Sequence, residues 1–138
     1  MTTIAAAPAR PLPTRSSARR AGLAISGFAA AFLILDAVMH VLNVQPVQEA
    51  NRILGFPPGA ALGIGLVELV CVALYLVPRT AVLGAVLLTG YLGGAVSAQL
   101  RIEAPLFSTL LFPVYLGTAV WVGLWLRDAR VRRALERP

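Results

Sequence analysis

Hydrophobic positions in this chain fall into four long runs, which are separated by short polar or proline-containing segments. The runs occupy residues 21–43, 59–77, 80–100 and 106–126. Each run has about the 20 residues that an α-helix needs to cross the hydrocarbon core of a bilayer. The pattern therefore predicts an all-α fold, namely an integral membrane four-helix bundle.

The connections between the runs carry their own signals. Residues 45–58 contain Pro46, which favours the first turn of a helix, and Gly55, which favours its end. We therefore expect a short interfacial helix between the first two spans. The connection between the second and third runs has only about two to four residues, which predicts a tight antiparallel hairpin. Thr80 in this connection is a favourable N-cap for the third span.

Both chain ends are polar and rich in arginine. Residues 1–20 contain proline, serine and arginine without periodicity, which predicts a disordered tail, and residues 127–138 form a second basic tail. A signal peptide is the alternative at the N-terminus. However, the first run is longer than the ~7–15 residues of a signal-peptide core, and it contains Asp36 and His40. We therefore expect one membrane domain at residues 21–126.

The overall composition supports a membrane protein. The 138 residues are 58% hydrophobic and 13% charged, and the mean hydropathy is +0.78. A soluble domain of this length has too little interior to bury so much apolar surface. The lipid bilayer is therefore the first partner that the sequence predicts.

All twelve basic residues are arginines, and their distribution predicts the topology. Ten lie in the two tails and in the connection between the second and third runs, whereas Arg52 and Arg101 lie in the other two connections. Positive charge is enriched in cytoplasmic loops, so we expect both termini in the cytoplasm. The same distribution fits a topology signal better than it fits nucleic-acid binding.

A single acidic residue, Glu68, lies near the middle of the second run. An ionisable side chain at that depth is costly and usually faces the bundle interior or a water-filled cavity. Asp36, Tyr91 and Tyr115 fall about 9 to 14 Å from the outer ends of their own helices, at ~1.5 Å per residue. His40 lies one turn beyond Asp36 on the same helix face. These depths predict a polar pocket that opens toward the outer side.

The residues that we expect to bind a ligand or to carry a proton in this pocket are Asp36, His40, Glu68, Tyr91, Gln99, Arg101 and Tyr115. Structural roles remain open for several of them. Asp36 and His40 can form an ion pair at the membrane edge. A protonated Glu68 can hydrogen-bond to a tyrosine and hold helices together, and a tyrosine can serve packing alone.

The sequence predicts no metal site. The chain has one histidine and one cysteine, Cys71, so a metal would have to be held by His40 together with Asp36 and Glu68. A haem with two axial histidines from one chain is excluded. The single cysteine also excludes an intrachain disulfide and a CxxC redox pair.

Glycine and proline within the runs indicate helix contacts and a kink. Gly59 and Gly63 form one GxxxG pattern, and Gly90 and Gly94 form another. Such patterns allow close helix approach, either within the hairpin or between protomers. Pro113 in the fourth run removes one helical hydrogen bond, so we expect a kink there.

Several stretches resemble a known family of small membrane proteins from bacteria. They are LVEL at 66–69, PRTAVLGA at 78–85, TGYLGGAV at 89–96, ILGFP at 53–57 and WLRD at 125–128. Over about residues 32–128 the chain resembles the DoxX-like family. The resemblance implies a four-helix bundle in the bacterial cytoplasmic (inner) membrane. Many relatives have a lysine near the end of the first span, where this chain has His40, so a role that needs a permanent positive charge does not carry over.

The resemblance also implies a function. The chain would be an accessory or partner subunit of a redox, oxidative-stress or quinone-linked system, with a quinone as the candidate ligand and redox proteins as partners. We expect no intrinsic cofactor and find no redox centre or catalytic motif in the sequence, so catalytic residues stay unassigned. A homo-oligomer is a further expectation. Two alternatives stay open, a small proton-coupled transporter that uses Glu68 and a structural membrane scaffold. The strong arginine bias argues against the dual insertion that small four-span exporters use.

Overall fold

The structure is a computed structural model that describes residues 15–135, and within this range the chain is helical and contains no strand. The helices are α1 (Arg15–Val41), α2 (Gln45–Ile53), α3 (Ala60–Leu76), α4 (Ala81–Arg101), α5 (Phe112–Arg127) and α6 (Ala129–Leu135), and a π-helical turn (Leu106–Leu110) precedes α5. The predicted all-α fold class is thereby confirmed for the described residues.

Three of the described helical segments are long and apolar enough to cross a membrane. They are Ser16–Val41, Ala81–Arg101 and Leu106–Arg127, the last of which includes the π-helical turn. The helix α3 is equally apolar but has 17 residues, which corresponds to about 25 Å of length. It lies within the second predicted run and is slightly shorter than that run.

The four apolar helices pack side by side, with α1 against α3 and α5, and α4 against the same two helices. The core between them contains Leu33, Tyr75, Leu88 and Leu124, all fully buried. Large apolar side chains such as Phe28 also point outward and are exposed. An apolar exterior of this extent is typical of a surface that faces lipid rather than water.

Close approach between these helices depends on the four glycines Gly22, Gly65, Gly84 and Gly123. A Cβ at Gly84 would overlap the backbone of Tyr75, so α4 lies directly on α3 at this point. A Cβ at Gly123 would lie 2.5 Å from Ser26 Oγ, where α5 meets α1. Small residues let helix backbones approach closely in a membrane, and these positions are where this chain uses them.

The glycines of the two GxxxG patterns do not have this role within the chain, so that part of the packing prediction was wrong. No atom lies within 4 Å of a Cβ added at Gly59, Gly63, Gly90 or Gly94. The spacing of four puts two glycines on one helix face, but it does not say which face meets a neighbour. Gly59 instead adopts φ +89° at the N-cap of α3. Packing of these glycines between protomers stays a prediction.

The helix α1 begins at Arg15, six residues before the predicted span. Residues 15–20 are therefore helical rather than part of a disordered tail, while residues 1–14 lie outside the described range. The physical reason is local. Residues 15–20 lack proline and glycine, and alanine and arginine favour the extension of a helix that is already formed.

The C-terminal basic segment also contains a helix, α6, which the sequence analysis did not predict. Asp128 Oδ1 accepts the backbone N–H of Arg130 at 2.8 Å and begins this helix. Burial raises the pKa of the Asp128 carboxyl, but hydrogen bonds from the side chain and backbone of Arg130 outweigh it, so the pKa lies below its ordinary value. Val131 packs into the core and fixes α6 against the longer helices.

The fourth predicted run is not one continuous α-helix. It consists of the π-helical turn, a bend at Leu111 and then α5. Pro113 lies in the first turn of α5, where the absence of its N–H is tolerated. The kink that the sequence predicts at Pro113 corresponds to the bend at Leu111, two residues earlier.

The hairpin between α3 and α4 closes through residues 77–80. Thr80 lies at the N-cap position of α4, but its side chain makes no capping hydrogen bond there. Its hydroxyl instead donates to the carbonyl oxygen of Leu74 at 2.8 Å. The predicted position of Thr80 was right and its predicted hydrogen bond was wrong, because an unpaired carbonyl at the end of α3 lies within reach of the hydroxyl.

Candidate functional site

A cavity of about 600 Å³ lies between α1, α3, α4 and the start of α5, next to α2. Most of its wall is apolar, from residues that include Phe32, Leu33, Ile64, Leu92, Phe112 and Leu116. The polar or ionisable side chains in the wall are Asp36, His40, Asn51, Glu68, Tyr91 and Gln99. An apolar cavity with a few polar groups is the usual form of a small-molecule site.

Glu68 reaches the cavity because α3 turns one face toward its neighbours. The buried residues Gly65, Glu68, Val72 and Tyr75 follow one another at intervals of three or four along α3, which places them on a single helix face. The Glu68 side chain is 0% exposed. Its Oε2 accepts a hydrogen bond from the hydroxyl of Tyr91 on α4 at 2.9 Å. This hydrogen bond links α3 to α4, as expected if Glu68 serves to hold the two helices together.

The other carboxylate oxygen of Glu68, Oε1, is buried and has no hydrogen-bond partner among the described residues. Buried polar atoms in proteins are almost always paired, and an unpaired one costs about 1–3 kcal/mol. Glu68 itself is one of the residues that line the cavity. This arrangement suits a carboxyl group whose second oxygen receives a partner from a ligand, an ion or a proton.

Asp36 and His40 lie one turn apart on α1, and both line the cavity. His40 Nδ1 is 3.0 Å from the backbone carbonyl oxygen of Asp36 and 3.4 Å from its carboxylate Oδ2. The Asp36 side chain is 41% exposed, so it is accessible from the surface of the molecule. The predicted contact between the two residues is therefore present, and it uses both the backbone and the side chain of Asp36.

The helices α1 and α3 bring these groups to Glu68. One nitrogen or oxygen atom from each of Asp36, His40 and Glu68 lies within 4.8 Å of the other two. Gly65 makes this approach possible, because a Cβ there would lie 2.6 Å from the carbonyl oxygen of Ala37 and 2.9 Å from His40 Cβ. Three ionisable side chains from two helices thus meet at one point of the cavity wall.

The remaining predicted residues divide into those that line the cavity and those that do not. Tyr91 and Gln99 line it. Arg101 is absent from the wall, because its guanidinium donates to the carbonyl oxygen of Leu54 and ties the end of α4 to the end of α2. Tyr115 is 51% exposed and does not line the cavity. Its inclusion in the pocket was wrong, because its depth was known but the rotation of α5 was not.

Sequence reasoning missed other parts of the cavity wall. Asn51 on α2 lines it, and a polar residue on the predicted short helix was a usable signal. Phe32 and Phe112 close another side, with ring centroids 5.2 Å apart. Apolar residues within long apolar runs give no comparable signal.

A second buried polar cluster lies at the opposite ends of the helices and was also missed. The hydroxyl of the fully buried Tyr75 lies within donating distance of Ser26 Oγ at 2.8 Å and of the Val120 carbonyl oxygen at 2.9 Å. Arg127 donates to the carbonyl oxygen of Tyr75 at 2.7 Å and lies over its ring. The cluster joins α1, α3 and α5, and its atoms are mutually satisfied, so we assign it a structural role.

The charged pair on α2 lies apart from the cavity wall. The Arg52 guanidinium donates to both carboxylate oxygens of Glu49, at 3.1 and 2.6 Å. This hydrogen bonding and the arginine charge hold the pKa of Glu49 below its ordinary value. Both side chains are exposed, so they form a surface ion pair of small energetic value.

Comparison with known proteins identifies a family. A sequence model of the DoxX-like family matches residues 24–123. The matched range contains every residue that lines the cavity. No curated protein and no solved structure gives a significant match.

Proposed function

Since the chain belongs to the DoxX-like family, we propose that it is a four-span protein of the bacterial cytoplasmic membrane whose cavity binds a small, largely apolar molecule. Both termini would lie in the cytoplasm, and the cavity would open toward the outer side. The protein would act as an accessory or partner subunit of a redox or oxidative-stress system, and a quinone is the ligand class that we favour.

The cavity of about 600 Å³ carries this proposal. Its volume falls in the range of roughly 300–1,000 Å³ that is usual for ligand sites. A quinone has an apolar ring and chain for the phenylalanine and leucine wall, and its two oxygen atoms can hydrogen-bond. Gln99 and the Tyr91–Glu68 pair supply polar groups for such oxygens. Electrons would pass through the bound molecule or a partner protein.

A cavity-filling variant tests the ligand proposal. Gly94 lines the cavity, and a Cβ added there meets no atom within 4 Å. Gly94→Leu should therefore fold normally, occupy part of the cavity and weaken quinone-analogue binding at least about tenfold, equivalent to ~1.4 kcal/mol. Affinity would be measured by titration of the purified protein in mild detergent, beside mass spectrometry of co-purifying small molecules.

The neighbouring residue supplies the matched control. Gly93 does not line this cavity, and a Cβ there also meets no atom within 4 Å. Gly93→Leu should bind the analogue as the wild type does. Equal affinities for the two variants, or no bound small molecule in the wild type, would contradict the ligand proposal and favour the scaffold alternative.

Proton-coupled transport is a second candidate, because Glu68 lines the cavity and has a buried carboxylate oxygen without a partner among the described residues. Glu68→Gln keeps the size of the side chain but cannot exchange a proton. In proteoliposomes with an imposed pH gradient, a transporter should lose gradient-driven uptake in this variant while it retains ligand binding. Binding without any uptake in the wild type would leave the accessory role as the better proposal.

A further inference from the structure

Asp36, His40 and Glu68 contribute to the polar part of the cavity wall, and together they also have the features of a metal site. We propose that these three side chains bind one divalent transition-metal ion. The proposal concerns the same cavity, but it does not depend on the organic ligand proposed for it.

The first argument is the set of ligand atoms and their spacing. One nitrogen or oxygen from each residue lies within 4.8 Å of the other two. Ligands of one ion with bonds of ~2.0–2.2 Å lie roughly 3–4 Å apart, so small side-chain rotations complete the site.

The second and independent argument is the unpaired oxygen of Glu68. The residue is 0% exposed, and Oε1 has no partner among the described residues although Oε2 accepts from Tyr91. A bound cation would supply the missing partner. The Tyr91 hydroxyl would then act as the outer hydrogen-bond donor that orients a ligating carboxylate.

The hydrogen bond that His40 makes within α1 also fits a metal site. His40 Nδ1 lies 3.0 Å from the backbone carbonyl oxygen of Asp36. In the tautomer that donates this hydrogen bond, Nε2 keeps its lone pair. Metal-binding histidines usually donate their other ring N–H to a carbonyl or carboxylate, which fixes the ring orientation. The α1 backbone thus holds the imidazole in a form that can ligate.

Charge balance and donor type define the class of ion. Two carboxyl groups converge at this point, and none of the described residues that line the cavity is an arginine or a lysine. A divalent cation neutralises two carboxylates. One imidazole nitrogen and two carboxylate oxygens suit Zn²⁺, Mn²⁺ or Fe²⁺. Cys71 does not line the cavity, so a thiolate site for a softer ion is not formed.

Zinc binding by the protein alone tests the proposal. The full chain without a histidine tag would be purified in detergent, stripped with a chelator and titrated with Zn²⁺ by calorimetry. We expect one ion per chain, retained in a large excess of Mg²⁺. Asp36→Asn, His40→Gln and Glu68→Gln should each weaken binding by more than about tenfold. Tyr91→Phe should weaken it by roughly 10–100-fold, the usual effect of losing an outer hydrogen bond.

Glu49→Gln is the matched control, because Glu49 is an exposed carboxylate outside the cavity wall. It should bind Zn²⁺ as the wild type does. Circular dichroism and size-exclusion profiles would establish that each variant is folded. Asp36 is partly exposed, so Asp36→Asn should fold even if a change at the buried Glu68 does not.

The proposal is overturned if the wild type binds no Zn²⁺, if Asp36→Asn binds it unchanged, or if Glu49→Gln loses as much affinity. It is also overturned if Mg²⁺ displaces Zn²⁺ at similar concentrations. The organic ligand is tested separately with Gly94→Leu. Zinc binding in a chain that binds no quinone analogue would support the metal site and contradict the ligand proposal.

Discussion

The two carboxylate oxygen atoms of Glu68 have different surroundings, so substitutions of this one residue can separate its structural role from a functional one. Oε2 is hydrogen-bonded to Tyr91, whereas Oε1 is buried without a partner among the described residues. A purely structural carboxyl group needs only the first contact. A group that binds a ligand, an ion or a proton also needs the second. Substitutions that keep one contact and remove the other therefore separate the two roles.

Glu68→Gln and Glu68→Leu provide this separation. Glutamine keeps the shape and can accept the Tyr91 hydrogen bond, so we expect an unfolding free energy close to the wild-type value. Leucine leaves the Tyr91 hydroxyl without its acceptor, which should cost about 1–3 kcal/mol. Thermal and denaturant unfolding in detergent would measure both.

The functional part of this prediction uses ligand affinity as a function of pH. We expect Glu68→Gln to lose whatever pH dependence the wild type shows, because glutamine does not titrate. If the two proteins give the same pH profile, Glu68 is a packing residue and has no part in binding.

Asp36 and His40 can be tested as a pair. Their contact uses the backbone oxygen and the carboxylate of Asp36, so each single alanine substitution should destabilise the protein in detergent. The double substitution should cost less than the sum, with a coupling of roughly 0.5 kcal/mol or more, as is usual for residues in contact. Unfolding free energies of the four proteins give the coupling directly, and strictly additive losses would show independent residues.

At the scale of helices, the packing depends on a few glycines rather than on the apolar content of each helix. At Gly84 the backbones of α3 and α4 are in contact, because a side chain there would overlap Tyr75. Farther along α4 lie glycines at which an added Cβ would meet no atom within 4 Å, among them Gly93. The two kinds of glycine predict opposite effects for the same substitution.

Gly84→Ala should push α4 away from α3 and destabilise the protein by about 1–3 kcal/mol, the usual cost of overpacking. Gly93→Ala is the control, and it should be neutral or stabilising by up to about 1 kcal/mol, because alanine favours helix more than glycine does. Melting temperatures in the same detergent would compare them. A Gly84→Ala protein as stable as the wild type would show that the two helices do not make this contact.

The contrast between these glycines also shows how far sequence reasoning extends. Hydrophobic runs predicted where helices lie, because burial in lipid requires long apolar segments with internally paired backbones. Depth along each helix predicted that Asp36, Glu68 and Tyr91 share a layer, and they do meet. Rotation about a helix axis is set by tertiary packing, which no single helix encodes. Tyr115 was therefore placed in the cavity incorrectly.

At the scale of the whole molecule, the arginines are divided between two ends. Arg19, Arg127 and Arg130 surround a small cavity beside Pro78, so the start of α1, the end of α5 and the α3–α4 connection lie together. Arg101 lies at the other end, where it binds the carbonyl oxygen of Leu54 after α2. The arginine-rich end is the one that we expect to face the cytoplasm.

Reporter fusions test this orientation. A reporter fused after Pro138 and another inserted between Arg79 and Thr80 should both report the cytoplasm, and a reporter at Glu49 should report the outer side. The physical reason is that moving the arginine-rich end across the membrane would carry most of the positive charge of the chain with it. The helix α3 is the shortest of the four predicted spans, since its 17 residues reach about 25 Å against ~30 Å of hydrocarbon. If α3 and α4 did not cross, the fusions at Glu49 and at Arg79 would report the same side as each other. An external signal from the fusion after Pro138 would contradict the four-span arrangement with both termini in the cytoplasm.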